Sequence, residues 1–136
     1  MARSSSLKNK ILSILFRAAR LKLAQPLTLF FFKHMNLFQY LDRLCENDSW
    51  TAFHHPQPEY PLHILILPKA GIKSMTEVQP EQAALFSELF LLENSLIGDF
   101  QLDDKGYRLI TNGGPHQSVI RWHWHLISEI PAVSHD

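Results

Sequence analysis

The chain has 136 residues, of which 46% are hydrophobic, so it is long enough for one domain with an ordinary buried core. Its single cysteine, Cys45, excludes an internal disulfide framework and indicates a reducing compartment. The 13 basic and 13 acidic side chains balance, but residues 1–41 hold seven basic and no acidic ones, which leaves six basic and 13 acidic in residues 42–136. We therefore expect the first part of the chain to do a different job from the rest.

The N-terminal arm, residues 1–35, reads KNKILSILFRAARLKLAQPLTLFFFKHM from Lys8 onward. As a helix it has a narrow basic side and a wide apolar side, and Pro26 ends or kinks it. The longest uncharged run, residues 23–32, is shorter than the ~20 residues needed to span a bilayer. We predict an amphipathic surface helix through which residues 8–32 bind an anionic membrane. Two alternatives stay open, a helix packed on the domain or a partner subunit and a cleaved targeting sequence.

Residues 36–136 have the pattern of one compact domain without internal repeats. Strands are predicted where apolar residues cluster between turn residues, and a helix where leucine and alanine recur at helical spacing. The predicted elements are a strand at 51–53, a proline-rich loop at 54–61, a strand at 62–68, a helix at 80–100, a strand at 106–111, a turn at 112–117 and a strand at 118–128. Strands on either side of one long helix favour an antiparallel α+β sheet.

The last predicted strand contains the sequence QSVIRWHWHLI, in which polar and aromatic residues alternate. Side chains alternate across a strand, so Arg121, His123 and His125 are predicted on one face, with Trp122 and Trp124 on the other. Burying the polar face without partners would cost roughly several kcal/mol, so we expect it to line a pocket.

The turn before this strand, NGGPHQS, offers backbone N–H groups and polar side chains that could hold an anion. Histidine is a suitable nucleophile toward phosphorus when one ring nitrogen is free and a hydrogen bond to the other sets its tautomer. Together the two features point to phosphate chemistry.

Two segments resemble the signatures of the histidine triad nucleotide-binding proteins. GYRLITNGGPHQSVIRWHWHLI is similar to the segment in which His-x-His-x-His follows Gln-Ser-Val, and ENDSWTAFHHPQPEYPLHILILPKAGI to the upstream signature ending in Ile-Pro-Lys. They cover most of residues 44–128 in the family's order and spacing. The resemblance implies a five-stranded antiparallel sheet with helices, usually paired into a homodimer.

The resemblance also implies a role for each matching residue. His123 matches the central histidine, which attacks the α-phosphate of a nucleotide conjugate and forms a covalent nucleotidyl-histidine that water hydrolyses. Phosphate or leaving-group contacts are implied for His125, Gln117, Ser118 and Asn112. The nucleoside pocket is implied for Phe53, His54 and His55, and a supporting role for His63.

Three residues depart from the family pattern. Arg121 replaces the first triad histidine, His55 stands where the adenosine phosphoramidase branch has a ribose-binding aspartate, and Gly71 replaces a histidine. In the family a backbone carbonyl at the first triad position orients the central histidine, and a substitution leaves it in place. We expect the Arg121 guanidinium to lower the pKa of His123; the alternative is that Arg121 points away or pairs with an acid such as Glu129.

We predict a nucleotidyl hydrolase of the histidine triad type that needs no cofactor and binds no nucleic acid. The alternatives are a nucleotide-binding module without turnover, attached to a membrane, and satisfied structural histidines. His63, His123 and His125 could share a zinc ion, but no carboxylate or cysteine completes an obvious ligand shell, so no metal is predicted. The predicted location is the cytoplasm, at a membrane surface if the arm binds lipid and in an organelle if it is a targeting sequence.

Overall fold

The computed structural model describes residues 42–130 together with Leu7, Lys10, Ile11, Ser13, Ile14 and Arg17. Its elements are β1 (Arg43–Glu46), β2 (Trp50–His54), β3 (Leu62–Pro68), α1 (Ala84–Asp99), α2 (Leu102–Lys105), β4 (Arg108–Thr111) and β5 (Trp124–Ser128). Short 3-10 turns lie at Met75–Glu77, Pro80–Gln82 and Gly114–His116. The strands form one antiparallel sheet in the order β1-β2-β3-β5-β4, as the sequence predicts for the α+β class.

Helix α1 covers one face of the sheet, and the core lies between them. The side chains of Leu89, Leu92 and Leu96 recur every three or four residues and are buried. They pack against residues of alternate strand positions, including Ala52 and Ile64. A 3-10 turn with Pro80 at its first position and a Gln79–Gln82 capping box precedes the helix.

Trp122 anchors the centre of this core. It is fully buried, and its ring meets Trp50 edge to face at 5.2 Å. The Trp122 indole N–H donates to Thr111 Oγ1 at 2.9 Å, and the Trp50 indole N–H donates to the Leu85 carbonyl at 2.8 Å. Both tryptophans therefore combine a large apolar contact with a satisfied donor.

The opposite face of the sheet carries the candidate site. The register aligns Leu65 with both Phe53 and His125, and Ile110 with His125, so these side chains share a face. His63 lies two residues before Leu65 on the same strand and therefore on the same face. The fold thus gives the core one side of the sheet and the histidines the other.

The predicted strand at 118–128 is wrong in its first half, because β5 begins only at Trp124. The Arg121 N–H turns back to the Val119 carbonyl at 2.7 Å, and the Trp122 N–H donates to the Ile72 carbonyl at 2.9 Å. These bonds replace ladder pairing, so Arg121 and His123 sit on a bent segment before the strand. The predicted alternation nevertheless holds, since Trp122 and Trp124 belong to the core.

The predictions for β2, β3, α1 and β4 are confirmed, with ends that move by a few residues. Strand β1 was not predicted, because its four residues, RLCE, show no apolar run. It pairs with β2 through an irregularity between Arg43 and Cys45.

Most of the arm predicted for residues 1–35, and the proposed boundary after it, lie outside the described residues. The six residues that are described there are helical. In the described part of the chain, no helix is both long and apolar enough to cross a membrane.

Candidate active site

His123 is held in one tautomer by the main chain. Its Nδ1 lies 2.6 Å from the Arg121 carbonyl oxygen, which can only accept a hydrogen bond. Nδ1 must therefore carry the proton, and the neutral ring keeps its lone pair on Nε2. The expectation that a backbone carbonyl at position 121 orients this histidine is confirmed, and the geometry leaves Nε2 as a nucleophilic atom.

His125 is held in the opposite tautomer by a chain of two hydrogen bonds. The Glu59 backbone N–H donates to His63 Nδ1 at 3.2 Å, so the neutral His63 ring carries its proton on Nε2. His63 Nε2 lies 2.8 Å from His125 Nδ1 and donates to it. The His125 proton is then on Nε2, and this contact with His125 is the one that a supporting role for His63 would require.

The two histidines therefore offer complementary chemistry side by side. The rings of His123 and His125 are 4.8 Å apart and nearly perpendicular, at 75°. One presents a lone pair and the other an N–H donor. This is the arrangement needed to attack an electron-poor phosphorus while stabilising its oxygens.

A cavity of about 220 Å³ opens beside His125. It is lined by His55, Glu59, Tyr60, His63, Ile110, Asn112, Ser118, His125 and Ile127. Of the predicted phosphate contacts, His125, Asn112 and Ser118 therefore meet in one cavity. His55 joins them by stacking on His63, with ring centroids 4.1 Å apart and planes at 23°.

Three predicted contacts are placed differently. Gln117 donates through its side-chain nitrogen to the carbonyls of Lys73 at 2.6 Å and Val119 at 2.9 Å, which ties two segments together. Phe53 is buried on the histidine face of the sheet. His54 points to the other face, where its ring meets Phe100 edge to face at 6.4 Å. These side chains are not among those that line the cavity.

Comparison with known proteins identifies the family. The model of the HIT domain matches residues 39–131, which is more than half of the chain. The chain belongs to the HIT family. An uncharacterised HIT-like protein of Buchnera aphidicola subsp. Baizongia pistaciae is 34% identical over 79 residues, which cover 57% of this chain and 70% of that protein.

Solved structures of HIT proteins share the fold. A HIT family hydrolase from Clostridium thermocellum has a TM-score of 0.61 and 30% identity, and the match covers 66% of this chain and 80% of that one. A histidine triad nucleotide-binding protein from Candida albicans has a TM-score of 0.59 and 24% identity, covering 71% of this chain and 78% of that one.

Arg121, which the sequence places at the first triad position, is half-buried beside His123. Its guanidinium donates to the Pro68 carbonyl at the end of β3 at 2.8 Å. The pKa of His123 lies below its usual value, chiefly because the ring is buried and also because of the Arg121 charge, whereas the bond to the Arg121 carbonyl opposes the shift. The expected direction is confirmed, with burial as the larger cause. Glu129 pairs with Arg108 at 3.4 Å.

His55, His63 and His125 also form a cluster in which one ring nitrogen of each residue lies within 4.8 Å of the other two. Such a group suggests a metal, but a histidine ligand needs a free lone pair on the binding nitrogen and normally donates its other N–H. Here Nδ1 of His63 and of His55 accept backbone N–H groups, the latter from Gln57 at 3.0 Å. Their Nε2 atoms are therefore protonated in the neutral rings, which disfavours metal binding at this cluster.

The sequence alone did not point to four residues that line the cavity, namely Glu59, Tyr60, Ile110 and Ile127. The alternation along β4 and β5 could have suggested the two isoleucines, because Ile110 pairs with His125 and Ile127 lies two residues beyond it. Glu59 and Tyr60 lie in the proline-rich loop, whose path no periodic pattern predicts.

Replacing Arg121 by glutamine should raise the pKa of His123, because the substitution removes a nearby positive charge. The pKa should stay below its usual value, since the ring remains buried. NMR titration of the His123 ring measures the shift directly. Arg121→Lys is the matched control, since it keeps the charge and should leave the pKa low. Equal pKa values in Arg121→Gln and the unsubstituted protein would show that burial alone sets it.

Proposed function

We propose that this HIT protein cleaves a phosphoramidate or phosphoanhydride bond of a nucleotide conjugate, in the manner of an adenosine phosphoramidase. The observation that carries the proposal is the pair of opposite tautomers at His123 and His125. The relatedness to a HIT family hydrolase at 30% identity supports hydrolysis as the reaction class. No bound cofactor takes part in the proposed reaction.

In the proposed reaction, His123 Nε2 attacks the α-phosphorus of the bound nucleotide. A phosphorus–nitrogen bond to His123 forms while the bond from phosphorus to the leaving nitrogen or oxygen breaks, and the leaving group takes up a proton. His125 Nε2–H, with Asn112 and Ser118 in the same cavity, is available to hydrogen-bond the phosphate oxygens. Water then attacks the phosphorus, releases the nucleotide and restores His123.

The lowered pKa of His123 favours this role. A protonated imidazole has no lone pair for attack, so a nucleophilic histidine must be neutral at the working pH. Burial and the Arg121 charge both keep the ring neutral to lower pH than an ordinary histidine. The acidic limb of kcat/KM should accordingly lie below the usual histidine range.

A second candidate is a nucleotide-binding module that has lost turnover. The observation in its favour is the replacement of a triad histidine by Arg121, whose guanidinium is tied to the Pro68 carbonyl. A tied guanidinium cannot shuttle protons as a histidine can. This candidate predicts ligand binding without any covalent intermediate.

His123→Ala should abolish turnover of an adenylyl-amine while leaving nucleotide binding measurable, because it removes the covalent step but not the cavity. The unsubstituted protein, incubated with labelled substrate and quenched, should carry an acid-labile, base-stable phosphoadduct on His123. His116→Ala is the control, since His116 is exposed in the turn before the site and should keep full activity. A wild-type kcat in His123→Ala would contradict the mechanism, and binding without an adduct would favour the second candidate.

We infer that the functional unit is a homodimer. Phe90 and Leu91 are large apolar side chains on the outer side of α1, with 60% and 68% of their surface exposed. Strand β4 lies at an edge of the sheet, where main-chain groups can pair with another strand. Adjacent exposed apolar groups and an open edge are both typical of interfaces between copies of a chain.

Substituting serine for both Phe90 and Leu91 should convert the protein to a monomer, because it removes the apolar contact. Multi-angle light scattering at micromolar concentration measures the mass. Asn94→Ser, at an exposed position of the same helix, is the control and should leave the dimer intact. A dimeric mass for the Phe90→Ser, Leu91→Ser variant would place the interface elsewhere.

The N-terminal arm, residues 8–32, is proposed to attach this otherwise cytoplasmic protein to an anionic membrane surface. Exposed apolar side chains are described at Ile11 and Ile14 and, just before this range, at Leu7, and the three are spaced as one face of a helix. Lys10 and Arg17 supply positive charge on the same stretch. An apolar face combined with basic residues suits the interface of an anionic bilayer.

The full chain should sediment with anionic vesicles at low salt and be released as salt rises, since each basic residue near the surface contributes about 1 kcal/mol of screened attraction. Vesicles of neutral lipid are the control. Deleting residues 1–35 should abolish sedimentation and leave the His123 adduct unchanged. If the full chain ignores anionic vesicles at low salt, the arm packs on protein or directs targeting instead.

A further inference from the structure

The side chains that line the cavity beside His125 offer several hydrogen-bond donors but few groups that only accept. Asn112, Ser118 and Tyr60 can each donate as well as accept, and His125 presents an N–H. Among the described side chains that line the cavity, Glu59 alone is a carboxylate, which when ionised accepts without donating. A ligand group that donates two hydrogen bonds therefore finds its best partner at Glu59.

His55 cannot serve as that acceptor. Its Nδ1 already receives the Gln57 backbone N–H at 3.0 Å, so its neutral ring carries a proton on Nε2 and is a donor there. Its ring plane is also fixed, because it stacks on His63 at 4.1 Å and lies nearly parallel to His125 at 5.8 Å. His55 Nε2–H thus favours a hydrogen-bond acceptor on the ligand. A carboxylate at position 55 would instead favour a donor on the ligand.

Glu59 is held close to these histidines by its own main chain. Its backbone N–H donates to His63 Nδ1, the same bond that sets the tautomer of His125. The loop around it, residues 54–61, contains three prolines, whose rings restrict the backbone. Tyr60 follows it directly and meets His63 edge to face at 5.6 Å. The loop therefore positions Glu59 with little conformational freedom.

We propose that Glu59 is a specificity-determining residue that accepts hydrogen bonds from vicinal hydroxyls on the sugar of the bound nucleotide. A carboxylate has two oxygens and can accept both hydroxyls of a cis diol at once. Glu59 is exposed and lines the same cavity as His125 and Ser118, which the proposed function assigns to the phosphate. This inference rests on the proposed function, because it assigns the sugar to one end of the cavity and the reacting phosphate to the other.

The test compares two ligands that differ only in the diol. Binding of adenosine monophosphate and of its 2′,3′-dideoxy analogue is measured by titration calorimetry with the full-length protein. The unsubstituted protein should bind the ribonucleotide about tenfold or more tightly, as expected for hydrogen bonds to a charged acceptor. Glu59→Gln keeps the shape but loses the charge, so it should weaken ribonucleotide binding and leave dideoxynucleotide binding unchanged.

Two further variants control the comparison. Glu81→Gln makes the same chemical change at an exposed position outside the cavity and should keep the tenfold preference. His55→Asn keeps a side-chain N–H donor and removes the imidazole; because His55 lines the cavity, it should weaken binding of both ligands but keep the ratio between them. A preference that survives Glu59→Gln but disappears in His55→Asn would assign diol recognition to residue 55 and overturn the inference.

The inference is also overturned if the unsubstituted protein binds both ligands equally, or if Glu59→Gln changes the affinity of both by the same factor. These outcomes are distinct from failure of the proposed function. Equal binding together with a His123 adduct and turnover would remove only the role of Glu59. A ribose preference that depends on Glu59, without any adduct, would keep the inference and remove the hydrolase.

Discussion

The geometry of the site depends on the burial of Trp122. This indole sits between Arg121 and His123 in the chain and is locked in the core against Trp50. Thr111 Oγ1 accepts the indole N–H and donates its own proton to the His123 carbonyl at 2.8 Å. A side chain in the core and a hydroxyl on the neighbouring strand thus fix the main chain on both sides of the His123 ring, although this segment lies outside the regular sheet.

Backbone groups, more than side chains, decide which atoms of the site are acids and which are bases. A carbonyl determines that His123 presents a lone pair, and an N–H determines, through His63, that His125 presents a proton. Main-chain groups do not titrate near neutral pH, so the assignment at His123 does not rely on a second ionisable group, whereas the assignment at His125 passes through the His63 ring. This N–H belongs to Glu59. The loop that carries Glu59 is therefore coupled, through His63, to the tautomer of His125.

Much of the fold could be predicted from the sequence because its largest elements have strong patterns. The apolar run LHILILP is typical of a buried strand, and the leucine spacing of α1 is typical of a helix packed on a core. The alternation of side chains around His125 predicts which residues face the core and which face the cavity. Strand β1 could not be predicted, because its four residues are held by pairing with β2 and have no apolar pattern of their own. The late start of β5 depends on a hydrogen bond from Trp122 to Ile72, a contact between segments 50 residues apart in the chain.

The candidate site was predictable in a similar way. Local sequence motifs point to five of its residues, namely His63, Asn112, Ser118, His123 and His125. Glu59 belongs to no motif and lines the cavity because of the path of an irregular loop. Gln117 shows a contact that motif reasoning does not predict, because its side-chain nitrogen donates to two carbonyls and braces the turn, while its phosphate contact stays a prediction. Whether the Gln117 side chain braces the main chain or contacts a ligand depends on neighbours that are distant in sequence, such as Lys73.

The carbonyl of Arg121 has a consequence for how such proteins are recognised and how they evolve. Every residue type supplies the same backbone carbonyl oxygen. The contact that orients His123 therefore cannot be recognised from the amino-acid type at position 121. The side chain at that position can then take another use, here a hydrogen bond to the end of β3, without disturbing the proposed nucleophile. A search pattern that demands three histidines would discard this chain, although the bond that orients His123 is present.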